Sequence, residues 1–303
     1  MHNQNHIFVP ADVPEKKHDT FIKNYSAITR NTGRLFLFSC DHKIEHLNND
    51  CYGPDINPQA LHPEHFFRIA SQGNIGAMAT HVGLIARYAK QYPNIHYIAK
   101  LNAKTNAVST EQQDPHSALL WTVDDIIDMQ EHHKIMIAGI GITMYLGSEY
   151  EAEQLYQAAQ TIMQAHHQGL VTIVWMYPRG KAICQENNPN LIAGGAGVAV
   201  SLGADFVKVK IPAAPDISSR AQFLKIASAA AGNTKIIYSG GELTSSPELL
   251  TQLYEFIHHA DLAGAAMGRN IFQRSLAEGV ALTHAIASII YDNADLKTSI
   301  SKL

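Results

Sequence analysis

The 303-residue chain is 46% hydrophobic, with a formal net charge of −4 and three cysteines. That is core enough for one large domain or two medium ones, and the charge balance leaves no basic field for nucleic acid. No apolar run approaches the roughly 20 residues a bilayer requires, and Cys40, Cys51 and Cys184 are too few and too scattered for a disulfide framework or a zinc site.

The opening stretch, MHNQNHIFVPADVPEKKHDT, has no apolar core of the kind a secretory leader carries. The expectation is a cytoplasmic protein, with residues 1–30 packing as an extension on the main body. Eight strand-like runs then follow in order: RLFLFSC, NIGAMAT, HYIAKLN, KIMIAGIGITMYL, VTIVWMY, DFVKVKIP, KIIYSGG and LAGAAMG. Helical patterns lie between them. Thr122 is placed to cap VDDIIDMQEHH, with Asp124 and Asp125 in its first turn. Ser148 and Glu151 have the spacing of a capping box for the next helix, which should end at Gly169. LIAGGAGVAVSLG reads as a small-residue helix closing at Gly203, and Ser246-Pro247 as an N-cap followed by the first helical residue. The paired histidines His132-His133, His166-His167 and His258-His259 cannot share a helix face and are expected in solvent.

Eight strands alternating with helices predict a single (β/α)8 TIM barrel spanning 1–303. An open doubly wound sheet is the competing arrangement. It is weakened because no G-x-G-x-x-G follows the first strand; GIGITM matches that pattern for only three residues. The irregular stretch LNNDCYGPDINPQALH after strand one could cover a site or make a subunit contact.

Function in a barrel gathers where its strands end. In strand five, Trp175, Tyr177 and Arg179 fall on alternate positions and so point the same way. In strand six, Lys208 and Lys210 share a face within Phe206–Ile211. Burial lowers a lysine pKa, and a second ammonium lowers it further, which suits Lys208 to attack a carbonyl as a neutral amine and Lys210, nearer the mouth, to electrostatic work. The turns after strands seven and eight offer Ser239, Gly240 and Gly241, with backbone N–H groups expected to be free, and then Gly268 and Arg269 ahead of a short helix. This is a phosphate-binding arrangement common in barrels. Asp41, with His42, ends strand one. It could move protons, hold hydroxyls, cap the loop or neutralise Lys208. Lys100, Asn102 and Lys104 alternate on strand three, and one of them could join the polar layer; Glu45 and His46 are weaker candidates.

Taken together, DHKIEH, KLNAKT, YLGSEYEAE, VWMYPRG, GADFVKVK, SGG and GRNIFQ resemble, in this order, the archaeal-type class I fructose-bisphosphate aldolases. The resemblance implies a Schiff-base lysine at Lys208, the strand-one aspartate at Asp41 and the strand-five aromatics at Trp175 and Tyr177. It places the phosphate loops at Ser239, Gly240, Gly241, Gly268 and Arg269, with Arg179 as a further contact. It also implies a phosphorylated-sugar substrate, a Schiff-base route that needs no metal or other cofactor, and a homo-oligomer; the charge balance and short apolar runs separately predict no nucleic-acid or membrane partner. Other readings remain: a Schiff-base barrel serving aromatic precursor synthesis, or a non-catalytic sugar-phosphate sensor. A zinc aldolase fits poorly, since no H-x-x-H pair lies at a strand end. Two features depart from the family pattern: Lys43, a charge at the rim where a small residue is usual, and SGGELTSS in place of an AGGPK-like turn.

Overall fold

The computed structural model describes residues 7–45, 48–107 and 114–303. Each of the eight apolar runs is a strand: β1 (Leu35–Ser39), β2 (Ala77–His81), β3 (Tyr97–Lys100), β4 (Ile137–Leu146), β5 (Val171–Pro178), β6 (Phe206–Val209), β7 (Lys235–Ser239) and β8 (Gly264–Met267). They are parallel and close on themselves, with β1 pairing both β2 and β8. The architecture is a (β/α)8 barrel. The principal helices are α1 (His18–Thr29), α2 (His42–Glu45), α3 (Pro63–Gln72), α4 (Val82–Tyr88), α5 (Val123–His133), α6 (Glu151–His167), α7 (Pro189–Ser201), α8 (Ile217–Ala231), α9 (Ser246–His259), α10 (Arg269–Phe272), α11 (Leu276–Ile290) and α12 (Leu296–Ile300). Among the described residues, no helix is long and apolar enough to cross a membrane.

Alternation along the strands sorts the core into two shells. Phe36 and Phe38 of β1 join the layer between strands and helices, while Leu35 and Leu37 point into the lumen with Ile98, Val171, Ile173 and Phe206. The lumen is closed from below by α1, whose Phe21, Tyr25 and Ile28 are buried in that inner cluster. Burying one such side chain contributes about 1.5–3 kcal/mol. Continuing the same alternation upward changes the chemistry. Leu35 and Leu37 lead to Ser39, Ile98 leads to Lys100, Ile173 leads to Trp175 and Tyr177, and Phe206 leads to Lys208. The inner face of the barrel is therefore apolar at the strand starts and polar at the strand ends.

The expected helix ends hold in part. Thr122 and Asp125 form a reciprocal capping box. The Ser148–Glu151 box does not form, because Ser148 Oγ donates to Pro115 O at 2.7 Å and Glu151 accepts from Gly147 N, so α6 starts at Glu151 behind Tyr150. At α9 the cap is Ser245, which accepts from Glu248 N, one residue earlier than expected; Pro247 is then the second helical residue. His132, His133 and His259 are exposed, but His166 is not. His166 is fully buried between two carboxylates, with Nδ1 2.8 Å from Asp12 Oδ2 and Nε2 3.1 Å from Asp205 Oδ2. Adjacent histidines point to different sides of a helix, so one of a pair can face inward.

Candidate active site

Lys208 lies near the top of β6 with 6% of its surface exposed. Its register partner on β5 is Trp175, and the Lys208 ammonium lies 5.3 Å from that indole's centroid. Nζ donates to Ser39 Oγ across the lumen at 3.2 Å. Burial lowers the Lys208 pKa, with Lys100 and Arg269 adding to the effect and Asp41 and Glu45 opposing it. An amine in that state is neutral at a lower pH than an ordinary lysine and can add to a carbonyl.

Trp175 is the floor of the site, buried in the inner cluster. On its other side lies Lys100, completely buried, with Nζ 4.4 Å from the ring centroid. Gly141, the register partner of Lys100 on β4, makes room for both. A Cβ there would lie 2.5 Å from the Trp175 ring and 2.9 Å from Lys100 Cδ. Lys100 bonds to Thr143 Oγ1, and its Nζ is 2.9 Å from Glu45 and 4.0 Å from Asp41. His81 at the end of β2 lies 3.7 Å from Glu45, and His42 lies 3.5 Å from Asp41. Burial pushes the Asp41 carboxyl up, but Lys208, His42, Lys100 and His81 together hold it well below the usual carboxylate range. Asp41 and Glu45 thus face Lys208 and Lys100 in a buried layer with matched charge.

Tyr177 stands one inward position above Trp175. Burial first, then Asp41, Glu45 and Tyr145, raise its phenol pKa well above the ordinary value, so it keeps its proton. Arg179 and Lys210 reach the same level, where both engage Glu186. Arg179 makes two bonds to it, at 2.6 and 2.8 Å, and Lys210 contacts Oε2.

The turns after β7 and β8 adjoin. A Cβ on Gly240 would strike Met267 Sδ at 2.2 Å, and one on Gly268 would lie 2.4 Å from the His42 ring and 2.7 Å from Ser39 O. At Gly268 the neighbour includes fixed backbone, so only glycine fits; at Gly240 a larger residue would have to displace the Met267 side chain. Gly241 has φ +72°, in the left-handed region. The Gly240 N–H is not free, contrary to expectation; it donates to Ala266 O at 3.0 Å, since the β7–β8 ladder continues one residue past the strand. Ser239 is half-buried at the strand end. Arg269 opens α10 and lies 3.7 Å from Asp50. The irregular stretch after β1 therefore folds over this corner, where Asp50 O also accepts from Gln273 at 2.8 Å. Asn270 ties the two turns together, donating to Gly240 O and Glu242 O and accepting from Thr244 N.

Three of the residues singled out in the sequence thus meet around Lys208: Asp41, Trp175 and, through its field, Arg269; Tyr177 lies within the field of the same Asp41. Of the strand-three trio, Lys100 joins the polar layer. Asn102 bonds both the N–H and the C=O of Thr143, at 2.7 and 2.8 Å, while Lys104 turns to Thr105 O and Asn106. Lys43 is drawn away from the mouth by Leu61 O at 2.7 Å. His46 lies outside the described residues. Glu186, His81 and Asn270 escaped the sequence reading. A histidine directly after the apolar run of β2 was a usable signal for His81. Glu186 and Asn270 sit in loop and helix segments with no period to mark them.

The sequence profile of the DeoC/LacD aldolase family matches residues 35–274. A Methanocaldococcus jannaschii protein named fructose-bisphosphate aldolase/6-deoxy-5-ketofructose 1-phosphate synthase is 43% identical over 294 residues, 97% of this chain and 93% of that protein. A fructose-bisphosphate aldolase structure from Slackia heliotrinireducens superposes with a TM-score of 0.96 at 46% identity, covering 99% of this chain and 95% of that one. An archaeal fructose-1,6-bisphosphate aldolase, with its catalytic lysine covalently bound to the carbinolamine intermediate, gives 0.76 at 26% identity over 89% of this chain and 99% of that one.

Proposed function

The chain belongs to the DeoC/LacD family of aldolases, and on that premise we propose that it is a class I fructose-bisphosphate aldolase. It would cleave fructose 1,6-bisphosphate reversibly to dihydroxyacetone phosphate and glyceraldehyde 3-phosphate. The observation that carries this reading is the Lys208 amine, buried, its pKa lowered, and set among Ser39, Trp175 and Asp41.

Lys208 Nζ adds to the C2 carbonyl of the ketose, and loss of water from the carbinolamine leaves an iminium. With the C4 hydroxyl proton removed, the C3–C4 bond breaks; its electron pair moves into the iminium and gives an enamine and the free aldehyde. Asp41, ionised by its cationic neighbours, is suited to accept that proton and to stabilise the iminium. Tyr177 keeps its proton and is suited to deliver it to C3 of the enamine; the proton that Asp41 took then returns to the phenolate, and water adds to the iminium and releases dihydroxyacetone phosphate with the Lys208 amine. Gly241, Gly268 and Arg269, with Ser239 and Gly240 framing the turn, would hold the phosphate next to the ketone and fix the reacting carbon.

The test is borohydride reduction in the presence of dihydroxyacetone phosphate, with the adduct located by peptide mapping. A reduced adduct on Lys208 is expected; no adduct, or equal trapping by Lys208→Ala, overturns the proposal. A second reading is that the chain acts as a synthase on a ketose with a single phosphate. The two-part name of the 43%-identical relative and the occupation of Arg179 and Lys210 by Glu186 favour it.

A further inference from the structure

The proposed substrate carries two phosphates, and the barrel wall on either side of Lys208 is furnished differently to receive them. On the β7–β8 side stand the glycine turns and Arg269. On the β5 side stand Arg179 and, at the top of β6, Lys210. Both cations are already engaged by one carboxylate of this chain, Glu186, from the loop that follows β5. Arg179 presents Nε and Nη2 to the two Glu186 oxygens, and Lys210 shares Oε2. The group sits over the reacting region: Lys210 is 5.8 Å and Arg179 5.9 Å from the Tyr177 ring centroid. It is also reachable from outside, since the Arg179 and Glu186 side chains are 37% and 36% exposed. Burial pushes the Glu186 carboxyl up, but Arg179 and Lys210 outweigh it, so it is ionised at neutral pH.

A guanidinium fork binds a carboxylate and a phosphate through the same pair of N–H groups. The two ligands therefore compete for one place. A phosphate entering beside an ionised Glu186 would also meet a like charge. An acceptor without a phosphate meets neither obstacle.

We propose that Glu186 is a specificity-determining residue, an internal carboxylate seated where a distal phosphate would bind. With Glu186 in place the site handles aldehydes and ketoses that lack a distal phosphate; a doubly phosphorylated ketose enters only by displacing it. This rests on the aldolase reading above. Net charge at the pair is +1 with the carboxylate engaged and +2 once it is displaced. The price of a distal phosphate is thus the rupture of three existing contacts.

The experiment compares cleavage of fructose 1,6-bisphosphate and fructose 1-phosphate by wild type, Glu186→Gln and Glu186→Asp. The ratio of the two kcat/KM values should rise about tenfold or more in favour of the bisphosphate in Glu186→Gln, as expected for removing a competing charged hydrogen-bond partner. The change should lie mainly in KM for the bisphosphate. Arg179→Gln added to Glu186→Gln should erase the gain. An unchanged or lowered ratio in Glu186→Gln overturns the proposal. If Glu186→Gln fails to fold, Glu186→Asp decides by the same ratio: its carboxylate is too short to reach both cations, so a smaller rise supports the proposal and no rise overturns it. Borohydride trapping with dihydroxyacetone phosphate, which has no distal phosphate, separates the two ideas. If wild type does not trap, the aldolase reading fails, whatever the role of Glu186.

Discussion

At the bottom of the barrel, His166 is fully buried and both ring nitrogens have a carboxylate partner, Asp12 at 2.8 Å and Asp205 at 3.1 Å. Asp205 also accepts from the Thr172 N–H at 2.7 Å and from its hydroxyl at 3.0 Å. At the mouth, Lys208 is nearly as buried, yet among the described residues its one hydrogen bond is to a serine hydroxyl at 3.2 Å. The lower cluster uses both ring nitrogens of His166, and Oδ2 of Asp12 and of Asp205, to hold residues 7–14, α6 and the start of β6 together. The upper one leaves an amine underbonded beside an ionised carboxylate. A buried charge alone does not mark a functional site. A saturated one ties elements together, and an unsaturated one can react.

Substitution at each end is the direct way to break that comparison. Lys208→Met should reduce turnover at least about a thousandfold, since the covalent route is lost, while the melting temperature moves by only a few degrees. His166→Ala should do the reverse. It leaves Asp205 buried without its cationic partner and costs about 3–5 kcal/mol in urea unfolding, with kcat/KM of the folded fraction within about twofold of wild type. If His166→Ala is as stable as wild type, the lower cluster does not clamp these elements together.

The pH response sharpens the contrast. Because burial lowers the Lys208 pKa, the rate of adduct formation should rise with pH and level off below the range of an ordinary lysine. Lys100→Met removes a like charge that assists this and leaves Asp41 and Glu45 to favour the Lys208 ammonium. The rising limb should then move up by about one pH unit; an unmoved limb means that Lys100 does not act on Lys208. The smallest effect belongs to Asp12→Ala, about 1 kcal/mol, because Asp12 is partly exposed. Burial lowers the His166 pKa, but Asp205 and Asp12 outweigh it and the net shift is upward. The contribution of protonated His166 is therefore complete below the ordinary histidine range and lost as pH rises through its folded-state pKa. The Asp12→Ala deficit should be largest near pH 6 and shrink above it.

Much of this was legible in the chain. Each of the eight apolar runs became a strand, because runs this short with turn residues at both ends have few other ways to be buried. Alternation alone put Trp175, Tyr177 and Arg179 on one side of β5, and Lys208 and Lys210 on one side of β6. The Gly240 and Gly268 turns were visible for the same reason that they are needed: a Cβ at either would strike a neighbour. What escaped was pairing across long sequence separations. No local pattern announces that Glu186 will cover two cations, that Asp12 will reach a histidine 154 residues away, or that Asn270 will tie two turns together. The Ser148 cap failed for the same reason, a competing acceptor 33 residues away at Pro115.

By itself the sequence determined which residues face inward and where along each strand the inner face turns from apolar to polar, since side-chain direction follows a two-residue period whatever the tertiary fold. Which charges then meet was decided only by closing the barrel. Closure brings strands one, three, five and six within a few ångströms around Trp175, and it is that burial and proximity of charges that lower the pKa of one lysine and keep a carboxylate beside it ionised.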